Sequence, residues 1–428
     1  MTQTALDVAR PQDSSELGAL AELATDGFGA AVTRVQELHA AVADRSFGPA
    51  AGPASAAAGA PRAVHDAIAG AVYATVRGAG TLLGGGLARG VRAAGGGPRL
   101  SDHPRGRLAQ GALNGLWGDR LEEGASALAV SMAVRVDGRD VPLHREALAA
   151  AFPAATARPV VFVHGLGESD AAWSLRAGER GGTYATRVLG ELGATAVTIR
   201  YNTGLHISEN GRRLAALLEE LVAAWPVAIE RLALVGHSMG GLVIRSAGHA
   251  ATGREDRWPA LVDTTISLGT PHLGAPLEQG VHLAAWALGA VPESRPIAAV
   301  LAARSAGIKD LRHGRLVDAE WEALDPDALR GFERADVPLL EGARHHVVAA
   351  TLTGRPGHPL ARVLGDLLVL TPSAHGLQGR RRVVAFEDDS CRHVGGHDHF
   401  DLLNSPALDG LLREWLAPAL PARQLSEH

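Results

Sequence analysis

The 428-residue chain has one cysteine, Cys391, and one lysine, Lys309. A lone thiol cannot form an intramolecular disulfide, so the fold has no covalent staple of that kind. Nearly every other base is arginine, and Ala and Gly are abundant throughout, which reads as nucleotide-composition bias rather than as function. There is no basic excess: 41 Lys and Arg face 46 Asp and Glu, for a formal net charge of -5. That balance leaves no electrostatic footprint for nucleic acid or for an anionic membrane surface. The apolar run between Arg77 and Arg89 is far short of the roughly 20 residues that span a bilayer. The first residues, Met1 to Asp7, lack the charged-then-apolar order of a secretory signal, so a cytoplasmic location is expected.

What is present is a soluble, core-forming composition, with 46% hydrophobic and 20% charged residues. The length exceeds what one compact core usually needs. The text divides accordingly into an Ala/Gly-rich helical extension over 1–107 and an α/β domain over 108–428, with an insertion at about 275–344. In the extension, Asp26 reads as an N-cap for a helix carrying Phe28, Val32, Val35, Leu38 and Val42 at helical spacing. A linker follows around Gly48 to Pro61. Val64 to Arg92 then reads as a glycine-loosened helix packed on the body, or as an interfacial helix whose arginines face headgroups, giving the N-terminal region a weak membrane association.

Beyond Leu108, strands and helices alternate. Ser131–Val136 and Val141–Leu143 flank Asp137-Gly138, a hairpin-turn signal. Buried strands are expected at Pro159–Val163, Ala196–Arg200, Leu232–Val235, Thr264–Leu268, His346–Ala350 and Arg382–Phe386. A helix is expected over Glu209–Ala224, and a final one from an N-cap at Ser405 to Leu416. Continuous apolar strands separated by amphipathic helices predict a parallel sheet covered on both faces. The gap from Ala275 to Arg344 shows helical but no strand patterns. His282–Leu288 within it reads either as an apolar lid or as a surface helix packed on the core.

The strongest chemical signal is Gly236-His237-Ser238-Met239-Gly240-Gly241, between a buried strand and a helix expected to begin near Leu242. A serine on a sharp strand-to-helix turn has its hydroxyl thrust above the sheet. The turn requires small residues two before and two after, which Gly236 and Gly240 supply. His164-Gly165-Leu166-Gly167 follows an earlier strand. Acyl transfer passes through a tetrahedral oxyanion that needs preorganised N–H donors; the backbone N–H groups of Leu166 and Met239 are assigned to it.

The base must come late in the chain, and His393, His397 and His399 compete. His399 is preferred because it closes the glycine-bearing loop and apolar residues follow it; His397 is the main alternative. For the orienting acid, Asp366 is the first choice, since it follows the penultimate strand and precedes an apolar stretch. Asp388 and Asp389 are the alternatives, as residues directly after the last strand. His397-x-His399-x-Asp401 also resembles part of a metal-ligand run, but Leu402 stands where a further histidine is wanted, so neither metal nor cofactor is expected. His272 reads as structural or pocket-lining.

With these residues in place, the span from Leu108 onward resembles the α/β-hydrolase superfamily. Leu268–Gly274 and Arg200–Gly204 are similar to segments of serine lipases and of the GPI-inositol-deacylase-like branch. The resemblance implies an eight-stranded, mostly parallel sheet, a Ser–His–Asp triad of Ser238, His399 and Asp366, and carboxylic-ester or lipid-ester substrates. An acyltransferase or thioesterase with the same triad, and a non-catalytic binding protein of this fold, are the rival functions.

Overall fold

The computed structural model describes residues 16–46, 100–275, 304–322, 334–354, 366, 368–379 and 381–417, with six isolated positions between 66 and 86. The expected linker, most of the second N-terminal helix and the His282–Leu288 segment lie outside the described residues.

An eight-stranded sheet organises the body, in the order β10-β7-β6-β5-β3-β4-β1-β2. Its strands are β1 (Ala133–Val136), β2 (Arg139–Val141), β3 (Pro159–Val163), β4 (Thr195–Arg200), β5 (Leu232–His237), β6 (Val262–Leu268), β7 (Arg344–Thr351) and β10 (Cys391–Gly395). A separate two-stranded ribbon, β8 (Leu377–Gln378) and β9 (Arg381–Arg382), lies between the last two in sequence. From β10 to β4 every pairing is parallel; β1 runs antiparallel to both β4 and β2. The β1–β2 hairpin turns on Asp137 and Gly138 at φ 49° and 76°, the left-handed pair that a two-residue turn between twisted strands demands. This is the α/β-hydrolase architecture, with flanking helices on both faces.

Every residue of β3 and β5 is buried, as expected of central parallel strands covered on both sides. On one face, α4 (Ile207–Ala224) presents Ile207, Leu214, Leu218 and Leu221 to the sheet and to Val243 and Ala247 of α5 (Met239–Ala250). On the other, Trp173, Tyr184, Val188 and Leu189 pack with Leu412, Trp415 and Leu416 of the last helix, α7 (Asp409–Leu416).

The helix α2 (Pro104–Glu123) has an unusual buried face of Gln110, Gly111, Asn114, Gly115, Gly118 and Leu121. Small residues are needed there because main chain approaches them. A Cβ on Gly115 would stand 2.8 Å from Gly167 Cα, and one on Gly118 would collide with the Asn202 side chain. Asn114 accepts from Val130 N and donates to Leu128 O. Thus α2 backs the loops that follow β3 and β4. The first helix, α1 (Glu16–Ser46), touches it through Ala19, Leu20 and Leu23 against Leu121 and Leu128.

Four expectations need correction. The first helix starts at Glu16 and carries Asp26 in its interior, because the Ala, Leu and Glu of residues 16–24 are strong helix formers that need no later cap. Helix α5 begins at Met239, directly after the serine. Ser405 precedes a short 3-10 turn, Pro406–Leu408, rather than capping a regular helix. The last sheet strand is Cys391–Gly395, not Arg382–Phe386. Val384 and Phe386 are apolar because they cover Val347 of β7. The true strand is half-buried throughout at the sheet edge, where polar residues are the rule. Asp388 and Asp389 therefore precede the last strand and lie at its starting end.

Candidate active site

Parallel strands deliver their following loops to one edge of the sheet, and ligands bind outside that carboxyl edge in open α/β folds. Here the loops after β3, β5, β6 and β10 all arrive there. Ser238 sits between β5 and α5 at φ 52° and ψ -122°. That strained conformation is held by its own N–H donating to Leu268 O at 2.8 Å and by its carbonyl accepting from Gly241 N at 3.2 Å. A Cβ on Gly236 would strike the main chain of Gly240 and Gly241, and one on Gly240 would strike the Val163 carbonyl. The two glycines are thus required by the closeness of strand, turn and helix.

The His164–Gly167 loop closes over the serine: a Cβ on Gly165 would stand 2.9 Å from Ser238 Cβ. His164 is buried and stacked on Tyr201, with ring centroids 4.5 Å apart. Its Nδ1 faces Gly165 O at 3.0 Å and its Nε2 receives the Tyr201 N–H at 3.3 Å, a neutral tautomer fixed from both sides. Burial also keeps its pKa below the ordinary histidine value. The Tyr201 hydroxyl donates to His164 O at 2.8 Å, and Gly167 N donates to Thr203 Oγ1. The N–H of Leu166 and that of Met239, first in its helix, have no protein acceptor among the described residues.

Asp366 and His399 are brought together. His399 Nδ1 lies 2.8 Å from Asp366 Oδ2, and the His399 N–H donates to Asp366 O at 3.1 Å. The other carboxylate oxygen accepts from Leu368 N at 3.0 Å and Val369 N at 2.8 Å. Both residues are buried, at 1% and 2% exposure. Since a carboxylate oxygen accepts, Nδ1 carries the proton of this contact, and Nε2 is the nitrogen directed away from Asp366. Nε2 is buried with no hydrogen-bond partner among the described residues, Ser238 included; such bonds are commonly long in unliganded sites.

The competing residues point elsewhere. His397 is held by Gly395 O and Ser405 Oγ, and His393, inside β10, by Thr351 Oγ1. Asp401 pairs with Arg176 and Arg180. Asp388 is 93% exposed at its side chain and pairs with Arg382. No group of three or more His, Cys, Asp or Glu side chains among the described residues is arranged to hold a metal. His272 is fully buried against Phe386, with neither ring nitrogen hydrogen-bonded among the described residues. Among the described residues no helix is long and apolar enough to cross a membrane.

Residues 156–315 match the family described as "Putative serine esterase (DUF676)". That segment holds Ser238 and the His164–Gly167 loop but not Asp366 or His399. No curated protein matches the chain. Among solved structures, the mature form of the Bacillus licheniformis lipase BlEst2 is similar at 20% identity, over 61% of this chain and 92% of that one, with a TM-score of 0.39. Its propeptide form gives 21% identity, 64% and 53% coverage and a TM-score of 0.42. An esterase from Pyrobaculum calidifontis gives 15%, 60%, 74% and 0.33. The chain therefore spans about half the length of the propeptide form.

Sequence reading assigned no role to two buried ionisable residues beside the serine, Glu168 and His237. His237 Nδ1 lies 2.9 Å from Glu168 Oε1. No periodicity announces such a pair, because its members sit on different strand ends. The only local hint is a carboxylate closely following a glycine turn.

Proposed function

We propose that the chain is a serine hydrolase that cleaves carboxylic esters through an acyl-enzyme on Ser238. The observation that carries this reading is the coincidence of a strained serine at a strand-to-helix turn with a buried Asp366–His399 pair in the base-competent tautomer. His399 Nε2 takes the Ser238 proton as Oγ attacks the ester carbonyl, forming the C–O bond of a tetrahedral intermediate. Its oxyanion is received by the Leu166 and Met239 N–H groups. Collapse expels the alcohol, which receives the proton from His399. Water then attacks the acyl-enzyme with the same base and releases the acid. Asp366 fixes the tautomer of His399 and stabilises the imidazolium formed at each step, without itself becoming protonated.

The match of residues 156–315 to a serine esterase family supports the reaction class. The likeness of Leu268–Gly274 and Arg200–Gly204 to segments of the inositol-deacylase-like branch extends the proposed substrates to lipid esters. A p-nitrophenyl ester series from acetate to palmitate tests both levels. Turnover by the wild type, abolished in Ser238→Ala, is expected, together with stoichiometric labelling of Ser238 by a fluorophosphonate. Absence of both turnover and labelling in the wild type refutes the proposal.

A further inference from the structure

The proposed chemistry makes no use of Glu168 and His237, yet the pair touches every loop that carries a reacting group. Glu168 belongs to the loop after β3; its Oε2 accepts the Gly165 N–H at 2.7 Å, beside the proposed oxyanion donor Leu166. Its Oε1 faces Nδ1 of His237 at 2.9 Å. His237 ends β5, immediately before Ser238, and its Nε2 lies 3.1 Å from the main-chain oxygen of His399. The rings of His237 and His399 are 4.8 Å apart, and Trp173 and Phe400 each stand 6.4 Å from the His237 ring.

The Nε2 partner fixes one proton and the Glu168 charge bears on the other. A carbonyl oxygen can only accept, so Nε2 of His237 bears hydrogen. Oε1 of Glu168 stands at ion-pair distance from Nδ1 without being aligned with it for a hydrogen bond, so it is the charge of the carboxylate that favours a proton on Nδ1. With both nitrogens protonated, His237 is an imidazolium and Glu168 its counter-ion, both removed from solvent. Burial opposes the charge on His237, but the Glu168 carboxylate and the His399 carbonyl outweigh it and raise its pKa above the ordinary histidine value. Burial likewise opposes ionisation of Glu168, and the His237 charge with the Gly165 N–H outweighs it, lowering the carboxyl. The other ionisable groups facing the pair are His399 from the loop after β10, Asp366 from the loop before that strand, and His164 and Tyr201 from the ends of β3 and β4. A buried ion pair gives little net stability over an apolar replacement, so its place here calls for another account.

We propose that Glu168 and His237 are charged positioning residues that clamp the oxyanion loop, the nucleophile turn and the base loop into one arrangement, so that turnover depends on the pair's charge as well as its shape. The proposal rests on the serine-hydrolase reading for its kinetic consequence, but the protonation of His237 does not.

The discriminating variant is Glu168→Gln, which keeps the volume and an amide oxygen able to accept from Gly165 N while removing the charge. With p-nitrophenyl butyrate, kcat is expected to fall about 10²-fold, the scale on which slight misplacement of reacting groups costs rate, with KM nearly unchanged. The alkaline end of the pH profile should move to lower pH, because His237 loses its counter-ion. Glu168→Asp, which restores the charge, should recover part of the rate. In parallel, ring-nitrogen NMR of histidine-labelled wild-type protein, assigned with His237→Asn, should show His237 protonated on both nitrogens at pH 7.5. Wild-type kcat and pH profile in Glu168→Gln would overturn the clamp, as would a singly protonated His237 in the wild type. If the wild type neither turns over esters nor labels with a fluorophosphonate, the hydrolase reading fails while the NMR result still decides the pair. If Glu168→Gln does not fold, the wild-type spectrum decides alone.

Discussion

Replacing Asp366 by asparagine separates the orientation of His399 from the integrity of its loop. The carboxylate uses Oδ1 to hold Leu368 N and Val369 N, and Oδ2 to hold His399 Nδ1. In Asp366→Asn the amide oxygen keeps the two main-chain donors, so the loop survives, but the amide NH₂ must face the imidazole. Nδ1 then becomes the acceptor, the ring proton moves to Nε2, and the base can no longer take the serine proton. A tautomer inversion of this kind costs about 10⁴-fold in kcat, or roughly 5.5 kcal/mol of transition-state stabilisation. Asp366→Ala instead leaves the buried Val369 N–H and the half-buried Leu368 N–H without their acceptor, at roughly 1–3 kcal/mol for the buried one and less for the other. The alanine variant should therefore lose several degrees in melting temperature that the asparagine variant keeps. Initial rates with p-nitrophenyl butyrate and thermal melts of both variants measure this. The exposed Asp388 and its neighbour Asp389, as Asn variants, should stay near wild type. An Asp366→Asn enzyme within about tenfold of wild type, or an equal loss in Asp388→Asn or Asp389→Asn, would refute the assignment.

Two further outcomes follow from packing and titration. Gly240→Ala drives a methyl into the Val163 carbonyl, with main chain on both sides of the contact, so a destabilisation above about 4 kcal/mol is expected; soluble expression and thermal melting read it, and a melting temperature close to wild type would contradict the geometry. His346 stacks on Trp415 at 4.4 Å and 5°, with no hydrogen bond to either ring nitrogen among the described residues. Burial, with Arg344 adding to it, lowers its pKa to about 4. The unfolded chain binds this proton from about pH 6.5 downward while the folded chain refuses it, so stability is present above that value and is lost toward pH 4, by at most about 3 kcal/mol before solvent screening. His346→Phe keeps the stack and removes that proton, so urea unfolding at pH 7 and pH 5 should show a shallower acid loss than in the wild type; an unchanged slope would rule His346 out as a source.

The central strands were legible because β3 and β5 are apolar on both faces, and the nucleophile turn because glycines must flank it wherever strand and helix meet so closely. The edge of the sheet was not. Cys391–Gly395 reads as polar loop because an edge strand faces solvent, while Val384 and Phe386 read as strand because they cover Val347. That exchange is what had made Asp388 and Asp389 look like acids following the last strand.

By itself, then, the sequence determined a mostly parallel α/β sheet and singled out Ser238, since both depend on local patterns of apolar alternation and small residues. Which late histidine meets which acid was decided only in three dimensions, where β10 beside β7 brings His399 onto Asp366 and sends His397 to Ser405. The Glu168–His237 contact likewise exists only because β3 and β5 are adjacent and end at the same edge. Local spacing along a chain carries no information about the proximity of two loops; the strand order of the sheet supplies it.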